Sequence, residues 1–357
     1  MNPHLTTLIS HLPADQLTTI TGATAQLRNG DVHYPFRQDS DFLYLTGLSV
    51  PGLVLTIFSD AVILWREPIT DIDIIWGSDK LSDTELRDIS GVEYIRDISE
   101  VEQYQSGKKE IGYQTWKSFI HSLRLIKTPY EIDKIRKGIS VSQEAFTSIH
   151  SMMRPGIYEY EIEAEIARVF RSHHLTEAYP SIVASGPNAC ILHYTAHTRQ
   201  LQLGDLILID AGAEYMGYAS DMTRTFAVSG FSPRQLAVYD AVERVKKIAE
   251  NTLKPGISLT EYEAIMRIAM NRELYELGLI PQHANKDEVI LLSKKYYPHR
   301  TSHFLGLDVH DVGSRDLILS PGMVVTIEPG IYVTDEQIGV RIEDDYLITK
   351  SGCERLS

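Results

Sequence analysis

In the first third of the chain, apolar residues gather in short runs rather than in long periodic stretches. Val54-Leu-Thr-Ile-Phe58 and Ala61-Val-Ile-Leu-Trp65 are rich in β-branched and aromatic residues and are separated by Ser59-Asp60, which predicts a hairpin. Asp83–Ser90 has the pattern of a short helix. The polar stretch 102–110 loses all periodicity and marks where a first unit should be ending. Residues 1–118 therefore read as a small α/β domain, followed by a linker at 119–127.

From residue 128 the period changes. Thr128-Pro129-Tyr130-Glu131 supplies an N-cap, a proline at the first helical position and a capping-box glutamate. Ile132, Ile135, Ile139 and Ala145-Phe146 then recur at helical spacing, and the helix should stop before Pro155-Gly156. The same signals return about a hundred residues later: Ser232-Pro233-Arg234-Gln235 opens a helix that runs towards Leu253, and Pro255-Gly256 ends it. Arg154-Pro-Gly-Ile157 is followed by Tyr160-Glu161-Ile162-Glu163-Ala164, and Lys254-Pro-Gly-Ile257 by Glu261-Tyr262-Glu263-Ala264-Ile265. Each half reads helix, Pro-Gly-Ile turn, amphipathic helix, then strands. The economical reading of residues 128–357 is one duplicated unit packed against itself, with a site between its halves.

Acidic residues stand where the predicted strands end. Leu206-Ile-Leu-Ile209 runs into Asp210-Ala211-Gly212, and Asp221 follows Asp210 by eleven residues. Val324-Val-Thr-Ile327 runs into Glu328-Pro329-Gly330, and Glu343 follows Glu328 by fifteen. Each half thus offers two acids on neighbouring strands. Ionised carboxylates beside apolar strands are costly unless something positive compensates them, and a pair of divalent cations meets that need. Oxygen ligands suit Mn, Mg or Ca, with Zn or Co as alternatives when imidazole joins. His303, in His299-Arg-Thr-Ser-His303-Phe-Leu-Gly-Leu-Asp-Val-His310, is the imidazole candidate. His193 precedes the first acidic hairpin, and His310 follows His303 by seven residues; the remaining histidines read as surface or packing residues.

Composition narrows the classes. The 357 residues are 43% hydrophobic and 23% charged, with a net charge of −14 and no basic run. An acidic surface repels phosphate backbones, so neither nucleic acid nor membrane is an expected partner. Residues 1–10 show no secretory signal, and no apolar run approaches the roughly 20 residues that span a bilayer. The two cysteines, Cys190 and Cys353, do not form a disulfide framework. A cytoplasmic protein is expected.

Asp210-Ala-Gly, Ser220-Asp-Met-Thr-Arg-Thr-Phe226, His303 with Gly306-Leu-Asp-Val-His-Asp-Val-Gly313, Thr326-Ile-Glu-Pro-Gly-Ile-Tyr332 and Val340-Arg-Ile-Glu-Asp-Asp345 resemble, as a set, the metallopeptidase family of aminopeptidase P, prolidase and methionine aminopeptidase (M24). The resemblance covers about residues 120–357. It implies a C-terminal pita-bread fold with pseudo-twofold duplication beside the smaller N-terminal α/β domain, an α/β (α+β) chain overall. It also implies two divalent ions, Mn foremost with Co or Zn as alternatives. Asp221 and Glu343 would bridge them, Asp210 would bind one, and His303 with Glu328 the other. Tyr34-Pro-Phe-Arg-Gln-Asp-Ser-Asp-Phe-Leu-Tyr-Leu-Thr-Gly47, Ile75-Trp76-Gly77, Leu123-Arg-Leu-Ile-Lys127 and Cys190-Ile-Leu-His-Tyr-Thr195 resemble the aminopeptidase P branch.

The implied activity is hydrolysis of the bond before a proline at position 2 of a peptide, by a hydroxide bridging the two ions. Glu328 would carry the proton, His310 would stabilise the oxyanion, His193 would contact the substrate backbone, and Arg341 would hold the bridging ligands. Tyr179, Tyr332, Trp76 and His299 are candidate walls for the proline, and Arg124 a candidate substrate contact. His299-Arg300 departs from the His-Gly common among relatives and leaves the role of His299 open. Prolidase is the alternative reading, and a metal-free pita-bread binding protein a more distant one. A homo-oligomer, dimer or tetramer, is expected.

Overall fold

The computed structural model describes residues 1–14, 16–76 and 80–357, and the chain divides into two compact units, Met1–Arg124 and Leu125–Ser357. Gly77 of the Ile75-Trp76-Gly77 motif lies outside the described residues.

In the first unit the two β-rich runs pair as the predicted hairpin, with Val54–Phe58 antiparallel to Val62–Arg66. Its sheet runs Tyr94–Asp97, Val62–Arg66, Val54–Phe58, Gln16–Thr21, Lys109–Glu110, with parallel pairing at both edges. Trp65 is fully buried and donates from its indole nitrogen to Thr56 Oγ1 at 2.8 Å, which satisfies the one polar atom of a large apolar side chain. Asp83–Ser90 is helical behind a Ser82–Glu85 capping box. The aperiodic stretch 102–110 holds most of the short Val101–Gln105 helix and the two-residue edge strand Lys109–Glu110, both too brief to leave a period. Residues expected as linker, 119–127, are helical as far as Leu125, within Tyr113–Leu125.

The second unit contains the repeated helix pairs. Thr128 caps Pro129–His150 and Ser232 caps Pro233–Thr252, each with both hydrogen bonds of the capping box. Glu159–Ser172 and Leu259–Glu276 follow them. The Pro-Gly-Ile turns are superposable in their bonding. Gly156 N–H donates to Leu201 O and Leu201 N–H to Ile157 O; Gly256 N–H donates to Leu319 O and Leu319 N–H to Ile257 O. Gly156 and Gly256 sit at φ +91° and +90°, a conformation that side chains with a Cβ rarely adopt, so the glycine at each turn is required by the backbone.

Each half then lays down its strands. Leu206–Asp210 lies between Ile182–Ser185 and Thr223–Ala227, all antiparallel, with Asp210 opposite Thr223. Asp344–Ile348 lies between Val324–Ile327 and Cys353–Arg355, with Ile327 opposite Asp344. Gly330–Val333 and Ile338–Arg341 form a separate ribbon. A bridge from Thr223 to Glu343 joins the halves at the point where their acidic ends meet. The helix Lys286–Tyr296 belongs to the second half and packs Tyr296 and Tyr297 into a core with Val238, Val242, Met270 and Ile331. No helix among the described residues is long and apolar enough to cross a membrane.

Candidate metal centre

Strand alternation aims the polar side chains of the site. Successive residues of a strand point to opposite faces, so positions two apart share one. Asp221 stands two residues before Thr223 of the Thr223–Ala227 strand, Glu328 two after Thr326 of Val324–Ile327, and Glu343, bridged to Thr223, lies two residues from both Arg341 of Ile338–Arg341 and Asp345 of Asp344–Ile348. Thr223 Oγ1 donates to Glu343 Oε2 at 2.6 Å. Asp221 N–H donates to Asp345 Oδ2 at 3.0 Å. Thr326 Oγ1 accepts from His303 N–H at 3.1 Å and reaches Glu328 Oε1 at 3.5 Å. Thr223, Thr326 and Asp345 were not singled out in the sequence, although their two-residue offset from the acids was the available signal.

Together these elements line a cavity of about 360 Å³ that Asp210, Asp221, His303, Glu328 and Glu343 face, with His193, His299, His310, Tyr179 and Arg341. All five expected ligands and five of the other expected site residues thus share one cavity. Ligand atoms of Asp221, His303 and Glu343 lie within 4.8 Å of one another. His303 Nε2 is 3.4 Å from Asp221 Oδ2 and 3.5 Å from Glu328 Oε1. Its Nδ1 lies 3.0 Å from the Phe304 carbonyl, which can only accept, so Nδ1 carries a proton and Nε2 faces the acids. Tyr179 donates to Asp210 Oδ1 and Asp221 Oδ1, both at 2.6 Å.

Arg341 is the buried cation beside the acids. It donates to Asp210 Oδ2 at 2.5 Å, to Thr223 Oγ1 at 3.1 Å and to Tyr332 Oη at 2.9 Å. Tyr332 Oη lies 2.8 Å from His299 Nε2, to which its hydroxyl donates when the ring is neutral with its proton on Nδ1. His299 Nδ1 then donates to the Arg300 carbonyl at 2.7 Å. Acceptance at Nε2 requires a neutral imidazole, and burial followed by the Arg341 charge lowers its pKa to about 3. The backbone of Arg300, the residue that departs from relatives, therefore pins the His299 ring. Tyr332 is buried behind this ring.

The acids are over-supplied with negative charge. Burial, then the charges of Asp221, Glu328 and Asp210, push Glu343 well above the carboxylate range. Burial raises Glu328 to about 7, and burial also raises Asp210 against the pull of Arg341. Burial alone would lower His303, but its bond to Asp221 and the charge of Glu328 carry it up to about 9. One guanidinium and one imidazolium do not compensate four carboxylates at this depth. A set of four acids and one imidazole on one cavity, with Asp221, His303 and Glu343 close enough to share an ion, fits divalent cations and no anionic or apolar group.

Two expected site residues lie in the other unit. Trp76 is 82% exposed at the C-cap of Asp71–Ile75. Arg124 is buried, its Nη1 donating to Asp41 Oδ1 at 2.7 Å. Tyr113 and His121 also reach Asp41 Oδ2, so the carboxylate fastens the Tyr113–Leu125 helix to the first unit.

Known proteins place this geometry. The model of metallopeptidase family M24 matches residues 133–350, and that of the aminopeptidase P N-terminal domain matches residues 4–115. The Xaa-Pro aminopeptidase of Escherichia coli (strain K12) is 34% identical over 410 residues, covering 98% of this chain and 92% of that one. That of Haemophilus influenzae is 34% identical over 370 residues, covering 91% and 86%. Among solved structures, aminopeptidase P from E. coli in its low-pH form superposes with a TM-score of 0.90 at 33% identity, covering 99% of this chain and 93% of that one. A zinc-substituted form of the E. coli enzyme, in complex with product, matches equally, with a TM-score of 0.90 at 33% identity over 99% and 93% of the two chains. With its duplicated fold and its two family matches, this chain belongs to metallopeptidase family M24, in the branch that carries an aminopeptidase P N-terminal domain.

Proposed function

We propose that this chain is a dinuclear metal-dependent Xaa-Pro aminopeptidase, releasing the first residue of peptides whose second residue is proline. The observation that carries the reading is the convergence of Asp210, Asp221, His303, Glu328 and Glu343 on one cavity with one compensating guanidinium. The names of the similar proteins, Xaa-Pro aminopeptidases over nearly the whole chain, support the substrate class. The oxygen-rich donor set favours manganese as the native metal. Two free cysteines and an acidic surface favour the cytoplasm, and a homo-oligomer remains part of the reading.

Asp210, Asp221, His303, Glu328 and Glu343 would hold the two ions. Two such ions lower the pKa of a shared water and polarise the scissile carbonyl. The residues of the chain do the rest. Glu328, held near 7 by burial, is suited to accept the proton of the attacking water and return it to the leaving proline nitrogen. His310 packs edge-on to His303 at 4.5 Å between ring centroids; burial and the neighbouring His303 lower its pKa. It is therefore a neutral hydrogen-bond donor for the developing oxyanion. His193 faces the same cavity and would bond the substrate backbone. Neutral His299, backed by Tyr332, offers a flat wall suited to a pyrrolidine ring that brings no N–H to satisfy.

Asp221→Ala tests the centre. It should remove peptide cleavage and metal retention together, read by turnover and by metal content after gel filtration. An active variant that keeps its full metal complement contradicts the two-metal reading.

A further inference from the structure

His303 and His310 stand just outside the two ends of a tight loop. Phe304 follows the first histidine and Asp311 the second, and Asp311 N–H donates to the Phe304 carbonyl at 2.9 Å, which closes residues 304–311 on themselves. The two imidazoles meet edge-on, their ring centroids 4.5 Å apart. They are held unequally. His303 N–H donates to Thr326 Oγ1 at 3.1 Å, its carbonyl accepts from Thr326 N–H at 2.9 Å, and its Nδ1 lies 3.0 Å from the Phe304 carbonyl. The His310 ring makes no hydrogen bond to the described residues, so the backbone at the loop closure decides where it stands.

At that closure lies a buried ion pair that the chemistry of the metal centre does not use. Lys127 Nζ stands 3.0 Å from Asp311 Oδ2, and each side chain is 1% exposed. The lysine is fixed at its own backbone, Lys127 N–H donating to the Gly322 carbonyl at 2.8 Å, just ahead of the Val324–Ile327 strand. The pair also fills the space beside Gly306, where a Cβ would collide with the Asp311 carboxylate and stand 3.0 Å from Lys127 Cε. The Gly306 carbonyl in turn accepts from Ala219 N–H at 2.8 Å, which bonds the loop to the first half. A buried ion pair is a poor source of stability, because desolvation of both charges offsets most of their attraction, and an apolar pair of similar volume often serves as well or better. What the pair supplies is direction. The anchored ammonium dictates where the Asp311 carboxylate lies, and with it the backbone that carries His310.

We propose that Lys127 and Asp311 are positioning residues for His310, holding the backbone of the loop closure so that the ring stays against His303 at the cavity wall. The kinetic consequence rests on the Xaa-Pro aminopeptidase reading; the positioning does not. A hydrogen-bond donor serves an oxyanion only when it is in place before the charge develops. A displacement of about 1 Å costs up to about 10²-fold in rate. His303 has its own ties to Thr326 and Phe304, so the pair serves the donor and not the metal ligand.

The experiment removes both charges at once with Lys127→Met/Asp311→Leu, which strands neither. The metal-free variant should unfold at the same urea concentration as the unmodified protein or a higher one. Its nuclear Overhauser contact between the His303 and His310 rings, read with labelled histidine, should weaken or vanish. Reloaded with Mn, it should keep the metal content of the unmodified protein after gel filtration. On Ala-Pro-Ala its kcat should fall about 10- to 100-fold with KM little changed. In a His310→Ala background the same two substitutions should leave kcat unchanged within about twofold, because the group they position is gone. Asp311→Asn, which keeps the side-chain volume, carries the same comparison if the double variant does not fold. An undiminished ring contact overturns the proposal, and so does an undiminished kcat in an active enzyme. A kcat loss that persists in full without His310 also overturns it, as does loss of metal, which would make the pair a support of the ligands. Where no peptide is turned over at all, the ring contact decides alone. Weakened, it keeps the positioning role and removes the peptidase; intact, it removes the positioning role.

Discussion

Arg341 reaches Asp210, Thr223 and Tyr332 from one guanidinium, so its removal strands several groups at once. Breaking a buried ion pair from one side costs about 3–5 kcal/mol. Arg341→Met should therefore lower the urea-unfolding free energy of the metal-free protein by about that amount; a loss below about 1 kcal/mol would show that Asp210 is not charged against it. His310 carries a different load. If it stabilises the oxyanion, His310→Ala should cut kcat by about 10²-fold with little change in KM. A rise in KM alone would make it a binding residue. At this scale the sequence was most legible where a charge sits at the end of an apolar run, because burial of a carboxylate must be explained. It was least legible at Thr223 and Thr326. A hydroxyl on a strand is ordinary until the acid two residues away is known to need a partner.

At the scale of elements, Glu159 shows what holds the segment that bears His193. It is fully buried at the first turn of the Glu159–Ser172 helix. Its carboxylate accepts from Ser185 N–H and Oγ–H at 2.7 Å, from Asn188 Nδ2 at 3.1 Å, from Tyr194 Oη at 2.8 Å and from Arg199 N–H at 3.0 Å. One carboxylate thus ties a helix start to both ends of the loop that lines the cavity with Leu192, His193 and Thr195. Glu159→Gln presents an NH₂ to donors, and an unmet buried bond costs about 1–3 kcal/mol. The variant should lose that stability in urea and also lower kcat. Unchanged stability would mean that the donors find water instead. Helix starts were legible because a capping box is local chemistry, and both long helices begin where Thr128 and Ser232 predict. The strand Lys109–Glu110 and the helix Val101–Gln105 were not. Neither is long enough for periodicity to rise above chance, and only pairing with Gln16–Thr21 makes the former a strand.

For the molecule as a whole, duplication was legible from two Pro-Gly-Ile turns, and the turns bond identically in three dimensions. The tie between Tyr113–Leu125 and Asp41 was not, since it joins residues more than seventy positions apart through side chains that look unremarkable in sequence. The charge excess at the candidate metal centre has a consequence for stability. Glu328, with a folded pKa of about 7, and His303, with one of about 9, both bind protons more tightly folded than unfolded. Metal-free stability is therefore greatest below the unfolded pKa of each group. It should fall as pH rises from about 4.5 through 7 for Glu328 and from about 6.5 through 9 for His303. Divalent metal must displace these protons, so its stabilising effect should grow over the same range. Melting curves with chelator and with Mn at pH 5, 7 and 9 check both slopes; a metal-free protein that becomes more stable with pH would contradict them. The central claim is tested most directly by stripping the protein with chelator, reloading it with Mn and following release of the first residue from Xaa-Pro and Xaa-Pro-Yaa. Metal-dependent cleavage of the tripeptide at least as fast as the dipeptide is the predicted result. Cleavage of the dipeptide alone, or of neither with metal bound, would contradict it.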